Sequence, residues 1–266
     1  MSDGSRYHLK KEKTMVYGEF AGVYDELMND YDYDLWSDYY LSEIRRRLGR
    51  TAFSLAECAC GTGNLTVRFA REGCTTLGID ASAAMLRVAE EKARDYGVSV
   101  QLIRQDMRKL TLPRPMDAVL CTCDGLNYLT SGEDVRAFFT AAGNALKPGG
   151  VLAFDLSSRY KLETLIGDSF LGEERDGIAY LWKNKLDAEK HIVMMDMTFF
   201  VREEDGRYRR FREEHRQRAH SLDEIMQWLE ACGFRAEAVY GEWRLDAPRR
   251  EDTRIHVFAK KDRRNR

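Results

Sequence analysis

Cysteine is sparse in this chain. Six cysteines in 266 residues are too few for a disulfide scaffold, and most lie inside apolar runs, which reads as reduced, buried thiols. Long hydrophobic runs are missing, so nothing approaches the length of a membrane span. The segment from Met1 to Lys13 is polar, carries several lysines and has no apolar core, which excludes a secretory signal. Net charge is nearly absent too. Lys and Arg total 42 against 44 Asp and Glu, a balance of −2 that argues against a dedicated nucleic-acid packager while leaving room for a local basic patch. There is no internal repeat and no low-complexity segment. What remains is 44% hydrophobic and 32% charged, an ordinary globular balance that points to a cytoplasmic protein. Its length suits one large domain, or a domain with an insert, and buries a core without metal or disulfides.

Residues 1–14 read as a disordered leader. From Tyr17 to Leu48 the pattern is helical and unusually aromatic (Phe20, Tyr24, Tyr31, Tyr33, Trp36, Tyr39 and Tyr40), which defines an N-terminal helical cap over 15–50. An α/β alternation follows over 51–158. Strands are expected at Ala52–Cys58, Thr75–Ile79, Val98–Ile103, Ala118–Cys123 and Val151–Leu156. Helices begin after the Gly-rich turn at Gly63, at Ser82 and at Glu133. Over 159–220 the alternation breaks. Alternating stretches at Ile192–Arg202 and Tyr208–Ala219, joined through Asp205-Gly206, predict an antiparallel β insert serving as acceptor lid or dimer surface. Ser221-Leu222-Asp223-Glu224 is a capping box, and the helix it opens plus two further strands complete the core over 221–260, before a basic tail at 261–266. The expected fold is a doubly wound, seven-stranded, mostly parallel sheet with an antiparallel β insert.

The first strand runs into Glu57-Cys58-Ala59-Cys60-Gly61-Thr62-Gly63-Asn64, and a helix follows. Glycines at such a junction let a ligand approach the backbone, and the helix start offers free amides. The nicotinamide fingerprint requires a further Gly where Thr66 stands. The second strand ends at Asp80, where a carboxylate can accept both hydroxyls of a ribose. The core therefore reads as an adenosine site with no requirement for a diphosphate.

With these residues in view, 52–157 resembles the core of class I S-adenosylmethionine-dependent methyltransferases, in particular the small-molecule branch. Glu57 to Gly63 resembles their first motif, with Ala59 where a first Gly is usual. Leu77 to Ser82 with Met85 and Leu86 resembles the ribose-binding motif, and Gln105-Asp106-Met107 the adenine-binding segment. Cys123 to Tyr128, and Leu146 to Gly150, resemble the segment after the fourth strand and the turn before the fifth. The resemblance implies that Asp80, flanked by Ala81, holds the ribose, that Asp106 and the Met107 amide meet the adenine, and that Glu57, Ala59, Gly61 and Gly63 lie along the methionine part. Met85 and Cys123 would line the same pocket, with Tyr24 and Trp36 closing over it. The implied cofactor is S-adenosylmethionine, released as S-adenosylhomocysteine, with no metal.

Methyl transfer from a sulfonium needs alignment more than acid–base chemistry. The residues best placed to face an acceptor are Tyr128, after the fourth strand, and His215, near the end of the insert. Arg207, Arg209, Arg210, Arg212, Arg216 and Arg218 suit an anionic acceptor, or else a solvated sheet face with ion pairs. Cys58/Cys60 and Cys121/Cys123 would approach each other if their strands are neighbours; their spacing does not match zinc sites, and buried thiols are the preferred reading. The sequence is read as an N- or O-methyltransferase of a small molecule, acting as monomer or homodimer without membrane or nucleic-acid partners. The alternatives are an RNA or protein methyltransferase, or a catalytically silent cofactor-binding module.

Overall fold

The computed structural model describes residues 19–28 and 31–262. Tyr17 and the leader lie outside the described residues, as does the tail beyond Asp262. The continuous helix expected up to Leu48 is instead broken into a 3-10 turn at Glu19–Gly22, a short helix α1 (Tyr24–Leu27) and a long helix α2 (Tyr33–Leu48). Asp32 explains the restart: its side chain accepts the Leu35 N–H at 2.9 Å and caps α2.

Strands and helices then alternate as β1 (Ser54–Cys58), α3 (Asn64–Arg71), β2 (Thr75–Asp80), α4 (Ala83–Asp95), β3 (Gln101–Arg104), β4 (Met116–Cys121), α5 (Gly132–Ala145) and β5 (Leu146–Ser157). The insert supplies β6 (Phe170–Arg175), β7 (Ile178–Asp187), β8 (Ile192–Arg202) and β9 (Tyr208–Arg218), and the chain returns through α6 (Leu222–Ala231), β10 (Phe234–Gly241) and β11 (Arg254–Lys261). Lys261, read as the start of the tail, is therefore the last residue of a strand.

The main sheet has seven strands in the order β3-β2-β1-β4-β5-β11-β10. It is parallel except for β11, which runs antiparallel to both its neighbours. Every residue of β4 is buried, as a central strand covered on both faces requires. One face carries Phe138, Phe139, Ile225 and Leu229 from α5 and α6, and the other Tyr40, Ile44, Leu65 and Phe69 from α2 and α3. Strand order reverses between β1 and β4, which opens a crevice at their carboxyl ends.

The insert forms a separate antiparallel sheet, β6-β7-β8-β9. Its inner face is apolar. Phe199 stacks between Phe20 at 4.8 Å and Phe211 at 5.1 Å, which ties the insert to the N-terminal turn. On β9, Arg210, Arg212, Arg216 and Arg218 fall on the opposite face, while Arg209 shares the parity of Phe211 and lies over its ring at the exposed start of the strand. Arg212 faces Asp196, Arg209 pairs with Glu19 and Glu203, Arg207 with Asp205, and Arg218 with Glu224. Arg207, Arg209, Arg212 and Arg218 are thus ion-paired, in keeping with the reading of this stretch as a solvated sheet face.

The capping box opening α6 is complete. The Ser221 hydroxyl accepts the Glu224 N–H at 3.2 Å, and the Glu224 carboxylate accepts the Ser221 N–H at 3.0 Å. Ser221→Ala is expected to cost about 1 kcal/mol, read as a lower denaturation midpoint at unchanged m-value.

Candidate active site

The turn after β1 owes its path to left-handed residues. Ala59 has φ +54°, Gly61 +55° and Gly63 +77°. A left-handed alanine carries strain of roughly 1–3 kcal/mol, so Ala59 holds the turn's path at a cost that Gly would not bear. Gly63 cannot carry a side chain: a Cβ there would stand 2.9 Å from the Ala89 Cβ of α4. Thr66, found in place of a third glycine, donates its hydroxyl to the buried Glu57 carboxyl, which also accepts from the Thr122 hydroxyl at 3.3 Å. Burial pushes Glu57 up to about 7.

Asp80, the last residue of β2, closes the turn from the other side. Its carboxylate accepts the Gly61 N–H at 2.9 Å and the Ser82 N–H at 2.8 Å, and burial raises its pKa. Asp25 of α1 lies across the same turn, accepting from Thr62 at 2.7 Å and Asn64 at 2.9 Å and pairing with Lys92 at 2.6 Å. These contacts place Tyr24 over the crevice.

The result is a cavity of about 460 Å³. Of the residues singled out for a cofactor, Tyr24, Glu57, Ala59, Gly61, Asp80, Ala81, Met85, Asp106, Met107 and Cys123 line it. Gly63 stands behind its wall as the cap residue of α3. Trp36 does not line it: the indole packs on Trp243 at 4.6 Å and beneath the Arg254 guanidinium at 4.7 Å, because α2 turns that face toward β11. Tyr33, one turn earlier, lines the cavity instead. Arg108 and Asp134 also belong to the wall and were not anticipated. Arg108 grips Asp106 at 2.5 Å and Asp134 at 2.7 Å, and its hydrogen bond holds Asp106 below the usual carboxylate range. The Asp106–Arg108 spacing was a signal in the sequence; Asp134 is distant in the chain and gave none.

A second cavity of about 350 Å³ adjoins the first and shares Tyr24, Tyr33, Cys123 and Tyr128 with it. Phe20, Tyr180, Trp182, Met195, Met197 and Phe199 supply an aromatic and thioether wall. Tyr128 and His215, 87 positions apart, meet here: the phenol oxygen lies 2.9 Å from His215 Nδ1. The segment between the cavities is strained, with Cys123 at φ +55° and Asp124 at +67°. Asp155 holds it by accepting the Cys123 N–H at 2.9 Å and the Asp124 N–H at 2.8 Å, and Arg254 bridges Asp155 at 2.8 Å and Asp124 at 2.5 Å.

Cys58 and Cys121 are register partners on β1 and β4. Burial pushes both thiols up, and those of Cys60 and Cys123. Among the described residues no group of three or more His, Cys, Asp or Glu is placed to hold a metal ion.

An open α/β sheet with an adenosine-type crevice at its switch point, joined to a second cavity, defines a nucleotide-cofactor enzyme. The family described as "Methyltransferase domain" matches residues 55–150. A crystal structure of an S-adenosylmethionine-dependent methyltransferase from Clostridium acetobutylicum is 32% identical, superposes with a TM-score of 0.84, and covers 92% of this chain and 99% of its own. The dTDP-4-amino-2,3,4,6-tetradeoxy-D-glucose N,N-dimethyltransferase of Saccharopolyspora spinosa is 26% identical over 86% of this chain and 91% of its own length. The dTDP-3-amino-3,4,6-trideoxy-alpha-D-glucopyranose N,N-dimethyltransferase of Streptomyces venezuelae is 26% identical over 76% of this chain and 83% of its own. The chain belongs to the S-adenosylmethionine-dependent methyltransferases, and S-adenosylmethionine is its cofactor.

Two outcomes follow from the turn. Glu57 has a folded-state pKa near 7 against an ordinary value of 4.5, so the folded state binds the extra proton and stability falls as pH rises between them. Above pH 7 Glu57→Gln is expected to stabilise the cofactor-free protein by about 3 kcal/mol while weakening the cationic cofactor. Thermal unfolding and calorimetry over about pH 5–8 check both signs. Ala59→Gly is expected to raise stability by about 1 kcal/mol in chemical denaturation, by removing left-handed strain.

Proposed function

We propose that the protein transfers a methyl group from S-adenosylmethionine to a nitrogen or oxygen of a small molecule held in the second cavity. The observation that carries this reading is the junction: two cavities meet at Tyr24, Tyr33, Cys123 and Tyr128, one shaped by backbone turns and carboxylates, the other by aromatic rings. Asp80 would receive the ribose hydroxyls. Asp106 and Met107 would meet the adenine, and Glu57, Ala59 and Gly61 the methionine portion. The fit is supported by the buried Glu57 carboxyl at the cavity wall, a counter-charge for a cationic ligand.

The bound cofactor supplies an activated methyl group and its own leaving group. The chain's residues hold the acceptor in line with it, an effect that contributes up to about 7–11 kcal/mol. Tyr128 stands where acceptor and methyl meet, and with His215 it offers a route for the acceptor's proton. The named sugar N,N-dimethyltransferases support a small polar acceptor. Arg209, Arg212 and Arg218 of β9 are engaged by carboxylates, which leaves them less available to a nucleic acid.

The cations that line the second cavity each stand beside a carboxylate. Lys161 lies 3.5 Å from Asp124, Arg175 2.8 Å from Glu173, and Arg254 between Asp124 and Asp155. Each cation is matched before any ligand enters.

Calorimetric titration of S-adenosylmethionine and S-adenosylhomocysteine is expected to give micromolar binding to the wild type and at least about tenfold weaker binding to Asp80→Ala, which loses its hydrogen bonds to the cofactor. No binding by folded wild type would overturn the reading. In an acceptor panel of small amines and phenols, Tyr128→Phe is expected to lower kcat by about 10²-fold while cofactor affinity stays within about twofold.

A further inference from the structure

On β9 the residues that point inward are Phe211, Glu213, His215 and Gln217, buried between exposed neighbours. Most of the strand's charge lies on the outer face, where water screens it. Glu213 is the exception: a carboxylate on the inner face, across from Met197, with its side chain 2% exposed. Burying a carboxylate beside thioethers and phenyl rings is costly unless a partner repays the lost hydration. The nearby group is the His215 imidazole two residues along the same face, equally buried, with Nε2 3.7 Å from Glu213 Oε2. The other ring nitrogen, Nδ1, lies 2.9 Å from the Tyr128 oxygen. The Phe20 ring closes on the imidazole edge-on, with centroids 6.1 Å apart.

We propose that Glu213 is a positioning residue for methyl transfer: it holds His215 in the Nε2–H tautomer, so that Nδ1 is an acceptor and the Tyr128 hydroxyl donates to it. This rests on the Tyr128–His215 pair facing the acceptor. A neutral imidazole carries one proton, and which nitrogen holds it depends on what each nitrogen faces. A carboxylate beside Nε2 draws the proton there. Tyr128 can then donate to Nδ1 while its oxygen accepts from the N–H or O–H of the acceptor. The new bond joins the acceptor nitrogen or oxygen to the methyl carbon; the methyl–sulfur bond breaks and its electron pair stays on sulfur. The acceptor's proton moves to the Tyr128 oxygen, and the Tyr128 proton moves to Nδ1. The resulting imidazolium lies against the Glu213 carboxylate as a buried neutral pair, not as an isolated charge, until the proton is returned to water. Glu213 lines neither cavity, so it acts through His215 and not on the substrate.

The test needs no acceptor. Two-bond ¹H–¹⁵N correlation spectra of the full chain labelled at histidine report the tautomer of each imidazole, and His215→Gln assigns the signal. The wild type is expected to show His215 as Nε2–H. Glu213→Met, of similar volume and without an acceptor, is expected to shift it to a mixture with substantial Nδ1–H. Glu213→Gln, which keeps an acceptor oxygen beside Nε2, is expected to rescue the wild-type tautomer. Unchanged S-adenosylhomocysteine affinity confirms that each variant is folded, and Glu213→Ala substitutes if the Met variant does not fold. An Nδ1–H signal in the wild type, or an unaltered spectrum in both Glu213→Met and Glu213→Ala, overturns the proposal. Failure of the wild type to bind the cofactor would instead overturn the methyltransferase reading while leaving the tautomer result intact. With an acceptor in hand, kcat is expected to fall about 10–100-fold in Glu213→Met with the KM for cofactor unchanged, a split that loss of packing does not produce.

Discussion

Arg254, buried between two aspartates, is the contact on which the geometry of the site depends. It stands on β11 and reaches Asp155 on β5 and Asp124 in the segment after β4, while the Trp36 ring lies under its guanidinium. Asp155 uses its remaining capacity to bind the amides of Cys123 and Asp124, residues that have adopted a left-handed backbone without being glycine. Such strain persists only when the surroundings over-determine it. Removing one partner of a buried ion pair costs about 3–5 kcal/mol, enough to release this segment. The segment carries Cys123 and leads to Tyr128, which line both cavities. Arg254 therefore connects the antiparallel strand of the sheet to the junction of the two cavities.

A second constraint is the division of charge by strand periodicity. One face of β9 holds Arg212 and Arg218, answered by Asp196 and Glu224; the other holds Glu213 and His215 against Met195, Met197 and Phe199. Alternation by two residues thus separates a screened, solvated surface from a dry wall in which a single carboxylate has strong directional influence. The insert walls the second cavity with this face, and Phe20 anchors it by stacking on Phe199. The N-terminal segment is tied down twice, there and at Asp25, so it spans both cavities.

The alternation of strands and helices, the Gly-rich turn, Asp80 at the end of β2 and the capping box at Ser221 were all legible, because each depends on neighbours within a few residues. The exchange of Gly for Thr at position 66 was also visible, but its purpose was not: the Thr66 hydroxyl serves Glu57, nine residues back on an adjacent strand. Trp36 looked like a ligand contact because aromatic residues crowd its segment. Its environment was decided by Trp243 and Arg254, more than two hundred positions away. The break in the N-terminal helix escaped notice because its aromatic periodicity continues across it.

The local sequence by itself determined the order of elements, the class of fold and the chemistry of the crevice, since propensity, turn residues and amphipathic period act over a few residues. Tertiary structure decided which side chains face one another. Arg254 meets Asp124 across 130 positions, and Tyr128 meets His215 across 87. No local pattern encodes such pairs, because they form only when the sheet has brought β11 beside β5 and the insert over the fourth strand. The second cavity is for that reason a property of the assembled fold.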